Sequence, residues 1–240
     1  GIQSTATKTT VQFTAQPNTG GDRSTTLTFR TTEGGKTYTA QTQLVQTGAI
    51  VAATIDAFNK AAVGSTQYRI AGIVTDVKDA TKGNFTLKDH SGSIFVYKAK
   101  DFQTKGVKVG DIVTLVGERG QYNATPQMVK ATIEEHKKVE QVSIADFRAK
   151  PDSKDTYYMI KGTVGKSTEA NTKFDLTQYG NFALTDATGN VYVYGVATGW
   201  GGKKGEFGTL HVSEGDQLTL IAAKTTYKGL VEAISIFYSK

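Results

Sequence analysis

One fifteen-residue pattern occurs twice in this chain. Residues 83–97 read GNFTLKDHSGSIFVY and residues 180–194, 97 positions later, read GNFALTDATGNVYVY; Gly, Asn, Phe, Leu, Asp, Gly, Val and Tyr stand at matching places. Each copy is an alternating run (Phe85, Leu87; Phe182, Leu184), a polar turn, and a second alternating run, the pattern of a β-hairpin. Asp89 or Asp186 opens the turn and Gly92 or Gly189 closes it, so a type I turn followed by a left-handed glycine is expected.

The likeness extends on both sides of the hairpin. Thr54–Phe58 is answered by Ser143–Phe147, Tyr68–Val74 by Tyr158–Val164, Val109–Leu115 by Glu214–Leu220 and Met128–Ala131 by Leu230–Ala233. Seven extra residues precede the second copy's hairpin and eight follow it, so the length changes fall between elements, where loops absorb them. A period near 90 residues is too long for a solenoid and marks two tandem domains, each of about five strands.

With 38% hydrophobic residues in 240 and no apolar run long enough for a bilayer, the chain has room for two or three small domains and carries no membrane-spanning helix. The absence of cysteine excludes disulfides, a thiolate nucleophile and cysteine-ligated metal. The net charge of +6 is uneven: residues 50–139 hold 13 basic and 9 acidic groups, whereas 140–240 hold 11 of each. Only the first repeat is basic.

Residues 1–49 belong to neither repeat. Val11–Ala15, Ser24–Arg30 and Thr37–Val45 alternate and are rich in Thr, with Asn18–Gly21 and Glu33–Gly35 as turns, which predicts about three antiparallel strands. The stretch opens on a polar run at Gly1, which reads as a cloning remnant ahead of a domain cut through its middle. The run VQFTAQPNTGGDRSTTLTFRTTEGGKTYTAQTQLVQTG (11–48), with its TLTF strand, glycine hairpin and closing Gln-Thr-Gly, resembles the second half of a BACON domain, an immunoglobulin-like β-sandwich of exported Bacteroidetes proteins. That resemblance implies export to the periplasm or outer-membrane surface, with a lipid anchor upstream.

Each repeat opens with a short capped helix (Thr54 or Ser143 as N-cap, Ile and Phe three apart on one face) that would plug or brace a barrel. A first strand with a central glycine (Gly72, Gly162), a hairpin, a variable connection, a Gly-Asp-x-Val/Leu-Thr-Leu strand and a last strand follow. This order resembles the OB-fold, the five-stranded Greek-key barrel that binds oligonucleotides, oligosaccharides or proteins. The expected architecture is therefore all-β: a partial BACON-like sandwich at 1–49 and OB-like barrels at 50–139 and 140–240.

Side-chain parity locates a candidate site. The β-branched pairs Ile94/Val96 and Val191/Val193 should fill the barrels, with Ile70, Val74, Leu87 and Leu115 and their counterparts Ile160, Val164, Leu184 and Leu220. Phe95/Tyr97 and Tyr192/Tyr194 then face outward on the strands where OB-folds receive ligands. Arg69, Lys88 and Lys98 accompany the first pair and suit a polyanion; the second pair and Trp200, in a neutral setting, suit a sugar or protein loop. The competing reading makes these aromatics packing residues. Gly195–His211, glycine-rich and holding the chain's single tryptophan, reads either as a mobile gripping loop or as one that folds back to cap the barrel end.

Catalysis finds no signature. His90, His136 and His211 lack metal-ligand spacing, no nucleophile elbow or phosphate loop occurs, and Arg69, Arg119 and Arg148 do not form a cluster, so no metal, cofactor or enzyme activity is expected. The function expected is a non-catalytic surface-associated binding or scaffold protein for carbohydrate or protein, with single-stranded nucleic acid as the alternative.

Overall fold

The structure, a computed structural model, describes residues 12–18 and 21–240. It divides into two compact units, 1–49 and 50–240. In the first, β1 (Arg23–Glu33) and β2 (Lys36–Gln46) form one antiparallel hairpin turned at Gly34 and Gly35, both left-handed. Residues 12–18 join no strand; the Gln16 carbonyl instead accepts from Arg23 Nη2 and Gln46 Nε2 at 2.7 and 2.9 Å. The expected strand Val11–Ala15 is thus not formed over its described part, while Gly1, Val11, Thr19 and Gly20 lie outside the described residues.

The second unit contains both repeats. In the first, β4 (Gln67–Asp79), β5 (Asn84–Lys88), β6 (Ser93–Val96), β7 (Ile112–Tyr122) and β8 (Thr125–Lys137) pair in the closed order β4-β5-β6-β8-β7-β4, with β6 and β8 parallel. In the second, β10 (Tyr158–Gly165), β11 (Asn181–Asp186), β12 (Gly189–Ala197), β13 (Gln217–Tyr227) and β14 (Leu230–Ser239) repeat that order, with β12 and β14 parallel. Both are OB-fold barrels. Each also carries a short parallel edge strand ahead of its helix, β3 (Ile50–Ala52) on β4 and β9 (Glu140–Gln141) on β10, too short to announce itself by alternation.

All twelve residues expected inside the barrels are buried. The central glycines do matching work: a Cβ on Gly72 would lie 2.6 Å from the Lys88 carbonyl oxygen, and one on Gly162 would lie 2.5 Å from that of Thr185, so only glycine lets the bent first strand close on the second. Helices α1 (Ile55–Lys60) and α2 (Ile144–Ala149) plug the barrels with Ile55 and Phe58 or Ile144 and Phe147, all fully buried.

The hairpin turns close differently from expectation. Gly92 is not left-handed and Gly189 sits at φ 151°; the turn-opening aspartates hold the loops instead. Asp89 accepts from the Ser91 and Gly92 amides and the Ser91 hydroxyl, and its second oxygen accepts from the Ile55 amide at 2.9 Å. Asp186 makes the same set with Thr188, Gly189 and Ile144. Each aspartate therefore ties its hairpin to the start of the plugging helix, satisfying an amide that the helix leaves free.

The barrels are fused by an apolar seam. Ile73, Ile112 and Val139 of the first meet Ile221, Met159, Tyr157, Ile236 and Tyr238 of the second. Beside it, Asp111 of the repeated Gly-Asp motif is fully buried and accepts from His136 Nε2 at 2.8 Å and from the amides of Val139 and Lys108.

Candidate functional site

The outward face of β11 and β12 in the second barrel is a cleft of about 880 Å³. Its wall is the connection between β10 and β11, represented by Asn171, Lys173, Asp175 and Tyr179; its floor is Tyr192, Tyr194 and Glu232; and Tyr227 comes from the end of β13. These are the strands and loops with which OB-folds receive ligands.

The wall is built locally. Asp175 accepts from the amides of Thr177, Gln178 and Tyr179 and from the Thr177 hydroxyl, closing a tight turn. Burial alone would push its carboxyl up, but these hydrogen bonds outweigh that and hold it below the usual range. Tyr192, only 3% exposed, pins the wall to the sheet: its hydroxyl accepts from the Lys173 amide at 3.0 Å and reaches the Lys173 carbonyl at 3.3 Å. Tyr194, 49% exposed, presents its ring to the cleft, with centroids 6.4 Å from Tyr192.

Two charges reach the same space. Lys204 Nζ donates to the Tyr194 carbonyl at 2.9 Å and lies 5.1 Å from the Tyr194 ring centroid. Its stem occupies the room left by Gly195, where a Cβ would stand 2.5 Å from Lys204 Cδ. Glu232, opposite Tyr192 across the β12–β14 pair, is 7% exposed. Burial raises the Glu232 carboxyl, only partly offset by Lys204, and lowers the Lys204 ammonium, only partly offset by Glu232.

The remaining site residues expected from sequence are scattered. In the first barrel Phe95 is half-buried and Tyr97 is 38% exposed, both outward as parity required, and Lys98 Nζ lies 5.0 Å from the Tyr97 centroid. Arg69 does not join them. It pairs with β7 on the other side of the barrel and makes a two-pronged ion pair with Glu134 at 2.6 and 2.9 Å, which corrects its assignment as a phosphate contact beside the rings. Lys88 is exposed beside the seam, lining a small gap with Thr198, Trp200 and Tyr238.

Of the two expected roles of Trp200, the folded-back one is nearer, although the ring packs in the seam and not at the barrel end. Its indole meets Tyr157 edge-on at 5.8 Å within the seam, and its carbonyl accepts from the His90 amide at 3.0 Å. The gripping loop is anchored further on, where the 3₁₀ turn Lys204–Leu210 buries Phe207 against Phe182. Phe102 stacks on Phe85 in the matching place of the first barrel. Packing of Trp200 and Phe207 thus positions Lys204 rather than freeing a loop.

A shallower groove of about 740 Å³ runs along α2 and β9. Its carboxylates are already engaged: Glu140 pairs with Lys150, Asp146 accepts from the Ser143 hydroxyl, and Asp186 accepts from the Ile144 amide. Among the described residues no group of three or more His, Asp or Glu side chains is placed to hold a metal, and no helix is long and apolar enough to cross a membrane.

No family model matches the chain, and no curated protein matches it. Among solved structures, a murine DNA-binding protein bound with double-stranded DNA is similar at 14% identity and TM-score 0.31, over 72% of this chain and 97% of that one. The tetrameric p202 HIN2 is similar at 13% and 0.30, over 73% and 90%, and the p204 HINb domain at 14% and 0.29, over 73% and 97%. Likenesses this loose carry no argument; the OB assignment stands on strand order.

Proposed function

We propose that this chain is a non-catalytic binding protein whose second barrel takes a carbohydrate in the tyrosine-lined cleft. The observation that carries this reading is the placing, on the ligand face of an OB barrel, of exposed tyrosine rings among two lysines and two carboxylates, one of them the buried Glu232. Ring faces bind apolar sugar faces without needing charge, while Lys173 and Lys204 balance Asp175 and Glu232, so the cleft offers a polyanion no net attraction. Asp175 is fully engaged in its turn, which leaves Glu232 without a second free carboxylate for glycoside chemistry and supports binding over cleavage. The BACON-like run 11–48 supports an exported, surface-associated setting.

A second reading, single-stranded nucleic acid on the first barrel, is favoured by one observation: Tyr97 stands exposed beside Lys98 on the ligand face of the more basic repeat. One experiment separates the two. The chain is screened against neutral glycans and single-stranded oligonucleotides at ~50 and ~200 mM salt, across which contacts to phosphates lose affinity steeply and contacts to neutral sugars do not. Salt-insensitive glycan binding supports the main reading. Binding to oligonucleotides alone, falling with salt, overturns it.

A further inference from the structure

We propose that Glu232 and Lys204 act together as an acceptor and a donor that select saccharides with a free pair of vicinal hydroxyls. This rests on the carbohydrate reading above and names the chemistry the cleft selects. Glu232 is more than nine-tenths buried, faces the cleft, and accepts no hydrogen bond from any described residue. Among the described residues only Asn59 Oδ1 is a fully buried side-chain polar atom without a partner, so the Glu232 oxygens keep contact with the cleft and take their donors from what the cleft receives.

Lys204 reaches the same space from the opposite side. Its ammonium spends one donor on the Tyr194 carbonyl and keeps two. It forms no direct ion pair with Glu232, although both line the cleft. A hydroxyl is donor and acceptor at once, so one ligand hydroxyl can donate to Glu232 while its neighbour accepts from Lys204, with the sugar ring against Tyr194 or Tyr227. The pair carries no net charge, so as a whole it gives an ion of either sign no net attraction, which favours a neutral polar ligand.

The first barrel shows how much of this is specific to the second. Lys130 stands in the sequence place of Glu232 and is paired with Glu118 at 2.9 Å, while Lys98 stands where Gly195 admits the Lys204 stem. The same scaffold there offers no free carboxylate.

The test uses the parent chain, Glu232→Gln and Lys204→Met on a printed array of neutral oligosaccharides, with half the spots cleaved by periodate at their vicinal diols and then reduced. The parent is expected to bind untreated spots and to lose about tenfold or more on treated ones; both variants should lose about tenfold or more on untreated spots. Glu232→Gln should melt at or above the parent temperature near neutral pH, because the amide removes a buried, unpartnered charge. Variants that bind like the parent, or indifference to periodate, overturn the inference and leave the carbohydrate reading standing. A parent that binds no glycan overturns both. A lowered melting temperature with a parallel loss of binding makes Glu232 a structural residue and also overturns the inference.

Discussion

Truncating Trp200 to alanine should loosen the seam and leave the cleft intact. The indole is half-buried against Tyr157 and the cluster of Ile73, Ile112, Val139 and Ile221. An aromatic ring buries roughly 150–250 Å² when fully enclosed, so about 100 Å² is a fair share for this one. At ~25 cal/mol per Å² the lost burial is about 2.5 kcal/mol, and the edge-on ring pair adds roughly 0.5–1 kcal/mol. The His90 amide still finds the residue 200 carbonyl after truncation, so the backbone link is the same in both proteins and does not enter the difference. A cost of about 3–3.5 kcal/mol lowers the melting temperature of a unit this long by roughly 6–14 °C. Differential scanning calorimetry reads the shift directly, and a split of one transition into two would show the barrels melting apart. A variant that melts with the parent but loses glycan binding would refute the seam assignment and restore Trp200 as a ligand residue.

Gly195→Ala places a Cβ against the Lys204 stem at a φ of 77°; it should cost about 1–2 kcal/mol of stability and weaken glycan binding by displacing Lys204, read by denaturation and by array. Asp186→Ala frees the Ile144, Thr188 and Gly189 amides and should cost about 1–2 kcal/mol in urea denaturation. Burial opposes the Asp186 charge but its hydrogen bonds from Thr188, Ile144 and Gly189 hold the carboxyl below the usual range, as Asp175 is held by its own turn. A depressed folded-state value gives stability that is present above the unfolded carboxylate value near ~4 and lost as pH falls through the folded one; acid titration of the parent should show this loss, flattened in Asp186→Ala. Glu232 has the opposite sign: its raised carboxyl costs stability as pH rises through its folded value, so Glu232→Gln should gain on the parent at neutral pH and match it in acid. Tyr97→Ala should leave glycan binding unchanged, and should weaken any oligonucleotide binding by about 1–3 kcal/mol in a filter or anisotropy assay.

Most of the scaffold was legible because the barrel alternates and repeats. Ile94 and Val96 point inward, Phe95 and Tyr97 outward, since β-branched residues fill a small interior and parity decides the rest. What escaped had no periodic signal. β3 and β9 are three and two residues long. The reach of Asp89 and Asp186 to the helix amides joins positions over thirty apart, so the sequence shows a turn former where the structure shows a latch. Glu232 escaped because one charged residue in an alternating strand reads as solvent-facing, whereas its 7% exposure at the floor of the cleft is set by tertiary neighbours. The two readings of the Trp200 loop stay open in the sequence because glycines speak only for local freedom, whereas the contact with Tyr157 that packs the indole into the seam is made by a distant segment.

The two length changes between the repeats carry the functional argument furthest. Seven extra residues before β11 supply the wall fixed by Asp175 and Tyr192; the insertion after β12 supplies Lys204. Both border one cleft, although they lie apart in the chain and each alone reads as an ordinary loop. In the first barrel the β4–β5 connection is a tight turn at Gly83, whose Cβ position is filled by the Ala99 backbone, and no wall rises over Phe95 and Tyr97. The duplicated barrel needs neither insertion to close, as the first copy demonstrates. Grafting the shorter connection onto the second barrel, joining Gly165 to Gly180 through a turn like that at residues 79–83, should therefore preserve a folded β-rich domain by circular dichroism while abolishing cleft binding. A graft that folds and still binds its glycan with parental affinity would show that the wall and the cleft it forms are not the site.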